Sequence, residues 1–272
     1  MVRPGGPIGS GTVPWDPGRG HLDPRAMERF NAVVHLAGEN IGAGRWSDER
    51  KERIRRSRTE GTSLLGSRLA NLEFPPRVAV FASAVGFYGN RGDEELTEAS
   101  NGGQGFLADL TRDWEAASVA VEATSIRVVK LRFGMVLSRE GGALPRMLRP
   151  FRLGLGGKIG SGRQYMSWIS HDDAVGVIEF AIGHEDLSGP VNTVAPEPIT
   201  NKGFTRILAR VLGRPALAVL PAFAVKLAYG EMGDELLLAS ARVVPRKLHD
   251  SGYIFRHPEL EGFLRHELTR PE

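Results

Sequence analysis

Four side chains stand where a reacting or anchoring group would be useful. Ser83 closes the apolar run Arg77-Val78-Ala79-Val80-Phe81-Ala82, and a hydroxyl at the carboxyl end of a buried strand either polarises a substrate oxygen or caps the turn that follows. Tyr88 offers a phenol in Phe87-Tyr88-Gly89, and Glu39 follows a second apolar run, Ala32 to Ala37. Either can carry a proton, although an exposed loop carboxylate is the plainer role for Glu39. Ile54, Arg58, Gly61 and Leu65 recur at spacings of four, three and four, which puts one guanidinium on an otherwise apolar helix face. Such a cation needs a phosphate or ribose, an internal carboxylate, or a path to water.

The elements that must position these groups alternate. Ala32-Val33-Val34-His35-Leu36-Ala37 reads as a buried strand stopped by Gly38, and Ser47 caps a helix with Asp48 and Glu49 in its first turn, running to about Asn71. A strand over 77–82, a helix over 106–123 and a strand over 127–132 follow. This order implies right-handed βαβ units and a parallel sheet. A later unit, helix 171–183 and strand 190–194, returns to the sheet, and helices over 202–212, 222–230 and 234–243 make a smaller cap over the strand ends.

With 35 Lys and Arg against 32 Asp and Glu, the net charge of +3 is too small for a nucleic-acid binder by bulk charge. The basic run Arg50 to Arg58 is interrupted by Glu52 and suits a solvated helix face. No cysteine is present, which excludes disulfides and thiolate metal sites and suits a reducing compartment. No apolar stretch reaches membrane-spanning length and no signal-peptide core opens the chain, so the expected location is the cytoplasm. The expected partner is a small-molecule substrate, with neither nucleic acid nor membrane; the oligomeric state stays open.

Three other stretches invite a phosphate or metal reading. The opening MVRPGGPIGSG lacks the strand and helix of a dinucleotide turn, so it reads as a flexible connection. The glycines from Gly154 to Gly162 contain no G-x-x-x-x-G-K-[ST] and precede a strand over 164–169, which suggests a mobile hairpin or lid. His171-Asp172-Asp173 are consecutive and do not share a helix face, so they read as a helix start whose acids complement the dipole, with no metal.

Together, H-L-A-G at 35–38, R-x-x-G-T at 58–62, the serine strand with F-Y-G at 87–89, L-R-F-G at 131–134 and W-I-S-H-D-D at 168–173 resemble an extended short-chain dehydrogenase/reductase. AGENI at 37–41, PFRLGLGG at 150–157, IGSGRQYMSWI at 159–169, VNTVAPEPITN at 191–201 and SGYIFRHPEL at 251–260 narrow the resemblance to an atypical epimerase-like branch of sugar-nucleotide epimerases and NADP-dependent oxidoreductases with an extra C-terminal segment. The fold so implied is α/β, an N-terminally truncated Rossmann-like doubly wound parallel sheet with a smaller, mostly helical C-terminal cap. Residues 1–138 with about 171–196 form the nucleotide-binding part, and 139–170 with 197–272 the substrate cap.

The resemblance also implies NADP rather than NAD. Leu36 and Ala37 would line the cofactor, Arg58 replaces an asparagine and gains an anion, Val136 follows the strand beside the nicotinamide, and Arg3 in Val2-Arg3-Pro4 grips a 2′-phosphate. Two departures stand out. The family's T-G-x-x-G-x-x-G unit is missing, which implies weak cofactor binding and an uncovered sheet edge. The Tyr-x-x-x-Lys pair is missing too: four residues after each tyrosine come Gly92, Ile169, Gly233 and His257. Hydride transfer with Ser83, Glu39 or Tyr88 in other roles, a non-catalytic NADP-binding or regulatory protein, and an inactive member are the readings left.

Overall fold

The computed structural model describes residues 11–269. Strands β1 (Ala32–His35), β2 (Val78–Ala84) and β3 (Arg127–Phe133) are joined by helices α1 (Asp48–Leu69) and α2 (Phe106–Ala116). Beyond β3 come β4 (Met135–Ser138), α3 (Leu144–Arg152), β5 (Trp168–Ser170), α4 (His171–Gly183) and β6 (Gly189–Thr193). The main sheet runs β6-β3-β2-β1, all parallel, with β1 the terminal strand among the described residues. β4 pairs in parallel with β5 in a separate small sheet.

Alternating side chains of β2 and β3 feed two apolar layers, as a parallel sheet covered on both faces requires. Ala79, Phe81 and Val128 pack with Leu65 and Leu69 of α1 and with Trp15, Leu22 and Met27 of the preceding segment. Val78, Val80, Val129 and Leu131 pack with Val177 and Ala181 of α4. Ser47 caps α1 as expected, accepting from Arg50 N, and Trp15 approaches so closely that a Cβ on Gly61 would lie 3.2 Å from its ring. A third core, around Trp168, Phe151 and Phe204, joins α3 and β5 to α5 (Asn201–Leu212), and to α7 (Leu260–Thr269), which follows α6 (Ala222–Tyr229). No helix among the described residues is long and apolar enough to cross a membrane.

Several expected elements are interrupted, each by a polar side chain or a distant strand. The helix over 106–123 breaks after Ala116, where Ser118 Oγ donates to the Glu115 carbonyl and competes for the backbone. The helix over 234–243 ends at Leu238, because Arg242–Val243 pairs with Glu95–Leu96. The strand over 164–169 is split at Ser167, whose hydroxyl donates to the Ala241 carbonyl at 2.7 Å. The glycine run is no hairpin: Gly157–Ile159 pairs in parallel with Ala218–Leu220, and a Cβ on Gly157 would sit 1.9 Å from the Ala218 carbonyl oxygen.

Candidate functional site

The penultimate residues of three neighbouring strands are polar, and register aligns them. Ser83 of β2 lies opposite Arg132 of β3, and Arg132 opposite Asn192 of β6. All three are buried. A guanidinium in such a row requires a partner, and α2 brings one, since Glu115 accepts from Arg132 Nε and Nη2, both at 2.8 Å. Ser83 Oγ donates to the same carboxylate at 2.6 Å. At its other edge Arg132 Nη1 donates to the Tyr88 hydroxyl at 3.0 Å. That hydroxyl lies 2.7 Å from Asn192 Oδ1 and 3.0 Å from the Thr97 carbonyl, its two available acceptors.

Burial works against the Arg132 charge, but Glu115 and Tyr88 outweigh it and hold the guanidinium above its ordinary pKa. The Phe87 ring covers its Cζ at 3.6 Å. The phenol of Tyr88 is pushed up mainly by burial, with Arg132 and Asn192 pulling the other way.

A second group gathers at the end of β1. Arg58 turns inward from α1, and its Nη2 donates to the Glu39 carbonyl at 3.0 Å while Nη1 donates to the Ile54 carbonyl at 3.2 Å and lies 3.4 Å from Ser57 Oγ. Its Cζ sits 5.0 Å over the Trp114 ring. Burial lowers this guanidinium to about 10, with Glu39 opposing the shift. The Glu39 side chain is a third exposed, and Arg50 Nη1 and Arg53 Nε each lie 3.9 Å from its carboxylate. Leu36 is 54 % exposed although it directly follows a buried strand, and Ala37 beside it is half-buried. α2 thus presents Trp114 to the Arg58 group and Glu115 to the Ser83 group.

The C-terminal segment reaches this region. Glu235 accepts from Phe106 N at 2.7 Å and Leu107 N at 2.8 Å, capping α2, and Glu231 pairs with Lys51 at 2.9 Å.

The structure therefore joins Ser83 and Tyr88 in one network and sets Glu39, Arg58, Leu36 and Ala37 around one loop. Val136 stands half-buried in β4 opposite Ile169. Arg3 lies outside the described residues. Tyr88, expected as a proton carrier, has no exposed surface, and its hydroxyl is engaged by buried partners. Ser83 is 3 % exposed and spends its only proton on Glu115, so its hydroxyl is not free to donate to a substrate.

Arg132, Glu115 and Asn192 were not singled out by sequence reasoning. The signal was a cation at the sixth place of Arg127-Val128-Val129-Lys130-Leu131-Arg132, and an acid sharing a helix face with Ala108 and Thr111.

Residues 23–194 match the NAD dependent epimerase/dehydratase family, and 220–267 match a domain of unknown function, DUF1731. The chain is 42% identical over 265 residues to "Epimerase family protein ML0860" of Mycobacterium leprae, covering 97% of this chain and 86% of that protein. It is 36% identical over 260 residues to "Epimerase family protein SDR39U1" of Homo sapiens, covering 94% and 87%. The crystal structure of human epimerase family protein SDR39U1 (isoform2) with NADPH superposes with a TM-score of 0.85 at 36% identity, covering 89% of this chain and 83% of that one.

Proposed function

Because the chain belongs to the NAD dependent epimerase/dehydratase family, we propose that it is an NADP(H)-dependent oxidoreductase or epimerase-like protein of the cytoplasm, acting on a small or sugar-nucleotide-like substrate at the carboxyl ends of β1, β2 and β3. The observation that carries this reading is Arg58. Its guanidinium is turned onto the loop after β1 and meets carbonyls and a hydroxyl rather than a carboxylate. Those contacts engage Nη1 and one hydrogen of Nη2, so Nε–H and the second Nη2 hydrogen stay available to an anion. Leu36 supplies apolar surface beside it, a fit for a ring or ribose lying against the strand end. The relative solved with NADPH supports the choice of cofactor.

In this reading Arg58, Leu36, Ala37 and Val136 hold NADP(H), whose nicotinamide supplies or accepts the hydride, and Arg3 contributes at the 2′-phosphate. Proton movement falls to Glu39, whose side chain is accessible and set between Arg50 and Arg53. Ser83 and Tyr88 order the strand ends instead.

A second reading, an NADP(H)-binding regulatory protein without turnover, is favoured by the engagement of both hydroxyls with the Arg132 network and by the missing Tyr-x-x-x-Lys pair. Titration of NADPH fluorescence, followed by NADPH consumption against a panel of carbonyl compounds and sugar nucleotides, separates the two. Arg58→Ala weakens NADPH binding about tenfold or more, the scale of a charged hydrogen bond. Under the enzyme reading Glu39→Gln abolishes turnover and spares binding; binding with no turnover anywhere in the panel selects the regulatory reading. Equal NADPH affinity in the wild type and Arg58→Ala overturns both.

A further inference from the structure

Three side chains able to ligate a metal meet in a part of the molecule that the proposed function does not use. Asp172 stands in the first turn of α4, His257 in the loop before α7, and His266 in the last turn of α7. One ligand atom from each lies within 4.8 Å of the other two. His257 Nε2 is 3.6 Å from Asp172 Oδ2, and the two imidazole ring centres are 5.1 Å apart. Among the described residues neither imidazole makes a hydrogen bond to a protein group. Two imidazoles and a carboxylate thus face one another, the carboxylate within ion-pair distance of His257 Nε2.

The convergence is built by contacts independent of those three groups. Asp173, fully buried, accepts from the backbone N–H of Arg256 at 2.7 Å and of His257 at 3.0 Å, and from Ser170 Oγ at 2.7 Å. This staples the loop to the start of α4 and sets His257 beside Asp172. α7 is fixed from the other side by Phe263, which stacks on Trp168 with ring centres 5.6 Å apart and also touches the His257 ring at 5.4 Å. Leu260 and Leu264 anchor the same helix in the third core. A consecutive His171-Asp172-Asp173 cannot encircle an ion, but one member of it can when two histidines arrive from the far end of the chain.

We propose that Asp172, His257 and His266 bind one borderline transition-metal ion, best matched by Zn²⁺, which ties the C-terminal helix to α4. Two imidazoles and one carboxylate suit zinc better than calcium or magnesium, which prefer all-oxygen shells. Tetrahedral ligands about 2.1 Å from zinc stand about 3.4 Å from one another. Reaching that spacing from 4.8 Å takes a small side-chain rotation, which the exposed His266 can supply. The same exposure leaves a fourth position to water. His171, 3.9 Å from Asp172 Oδ1, is the neighbouring basic group that the ion must outcompete.

The test is a titration of the untagged, metal-stripped 272-residue chain with ZnCl₂ by calorimetry, with the thermal midpoint followed in parallel and Co²⁺ used as a spectroscopic substitute. The expected result is one ion per chain, a midpoint that rises with free Zn²⁺, and strong visible Co²⁺ bands of a four-coordinate N/O site. His266→Gln disturbs no hydrogen bond of its side chain and keeps the fold; it and Asp172→Asn weaken binding about tenfold or more. His21→Gln, at an exposed position elsewhere, leaves binding unchanged. Wild-type affinity equal to that of His257→Gln/His266→Gln, or an equal loss in His21→Gln, overturns the proposal.

Discussion

His35 gives the sharpest stability prediction because its surroundings disfavour its protonated form. It ends β1 with 2 % of its surface exposed, between the Trp15 ring at 5.5 Å and the Phe81 ring at 6.1 Å, and its Nε2 is buried with no hydrogen-bond partner. Burial lowers its pKa from an ordinary 6.5 to about 4. Below pH 6.5 the unfolded chain takes up a proton that the folded chain refuses, so stability is intact above that pH and falls as the pH drops toward 4. At about 1.4 kcal/mol per pH unit the full loss from this side chain is about 3 kcal/mol, of which about 2 kcal/mol appears between pH 7 and pH 5. Against a typical total of about 5–15 kcal/mol this is a large share. Urea unfolding followed by circular dichroism at pH 7, 6 and 5 measures it in the wild type and in His35→Leu, a nearly isosteric apolar replacement. The wild type loses about 2 kcal/mol more than the variant over that interval. Parallel curves for the two proteins, or a histidine resonance titrating near 6.5 and assigned to position 35, refute the reasoning.

Removing half of the Arg132–Glu115 pair leaves a buried charge. Glu115→Gln therefore costs about 3–5 kcal/mol, while Glu115→Leu/Arg132→Met recovers most of the loss, as read by denaturant midpoints. Gly103→Ala places a Cβ 1.9 Å from the Tyr88 carbonyl oxygen; backbone must move, and the thermal midpoint falls by about 6 °C for a cost of about 3 kcal/mol. Unchanged midpoints in these variants contradict the packing described for the strand ends.

Much of the scaffold was legible because its signals are local. The apolar runs of β1, β2 and β3, the Ser47 cap and the four-three-four spacing that turns Arg58 inward each lie within a few residues of one another. What was not legible depends on pairing between distant segments. Ser83 could be placed at a strand end from its neighbours, but its partner Glu115 becomes its partner only when α2 packs over β2. Arg242–Val243 reads as helix and becomes strand because Glu95–Leu96 lies alongside it. Asp172 looked like a dipole complement alone until the C-terminal segment brought His257 to it.

The same long-range contacts bear on where chemistry can occur. For Ser83 to polarise a substrate oxygen, its hydroxyl must leave Glu115, and Glu115 can turn toward solvent only by releasing both bonds to Arg132. Breaking that buried pair costs on the order of 3–5 kcal/mol, a term added to any barrier that uses the serine as donor. Keeping Glu115 in place instead leaves Ser83 with lone pairs to offer and no proton. The strand-end row is accordingly better suited to fixing the relative positions of β2, β3 and β6 than to moving protons. Glu39 meets no such obstacle, because its neighbours are two cations at 3.9 Å rather than a closed network. If the protein turns over a substrate, Ser83→Ala lowers stability while sparing the rate per folded molecule, and Glu39→Gln does the reverse. A Ser83→Ala variant that is stable and inactive would return the serine to the centre of the reaction.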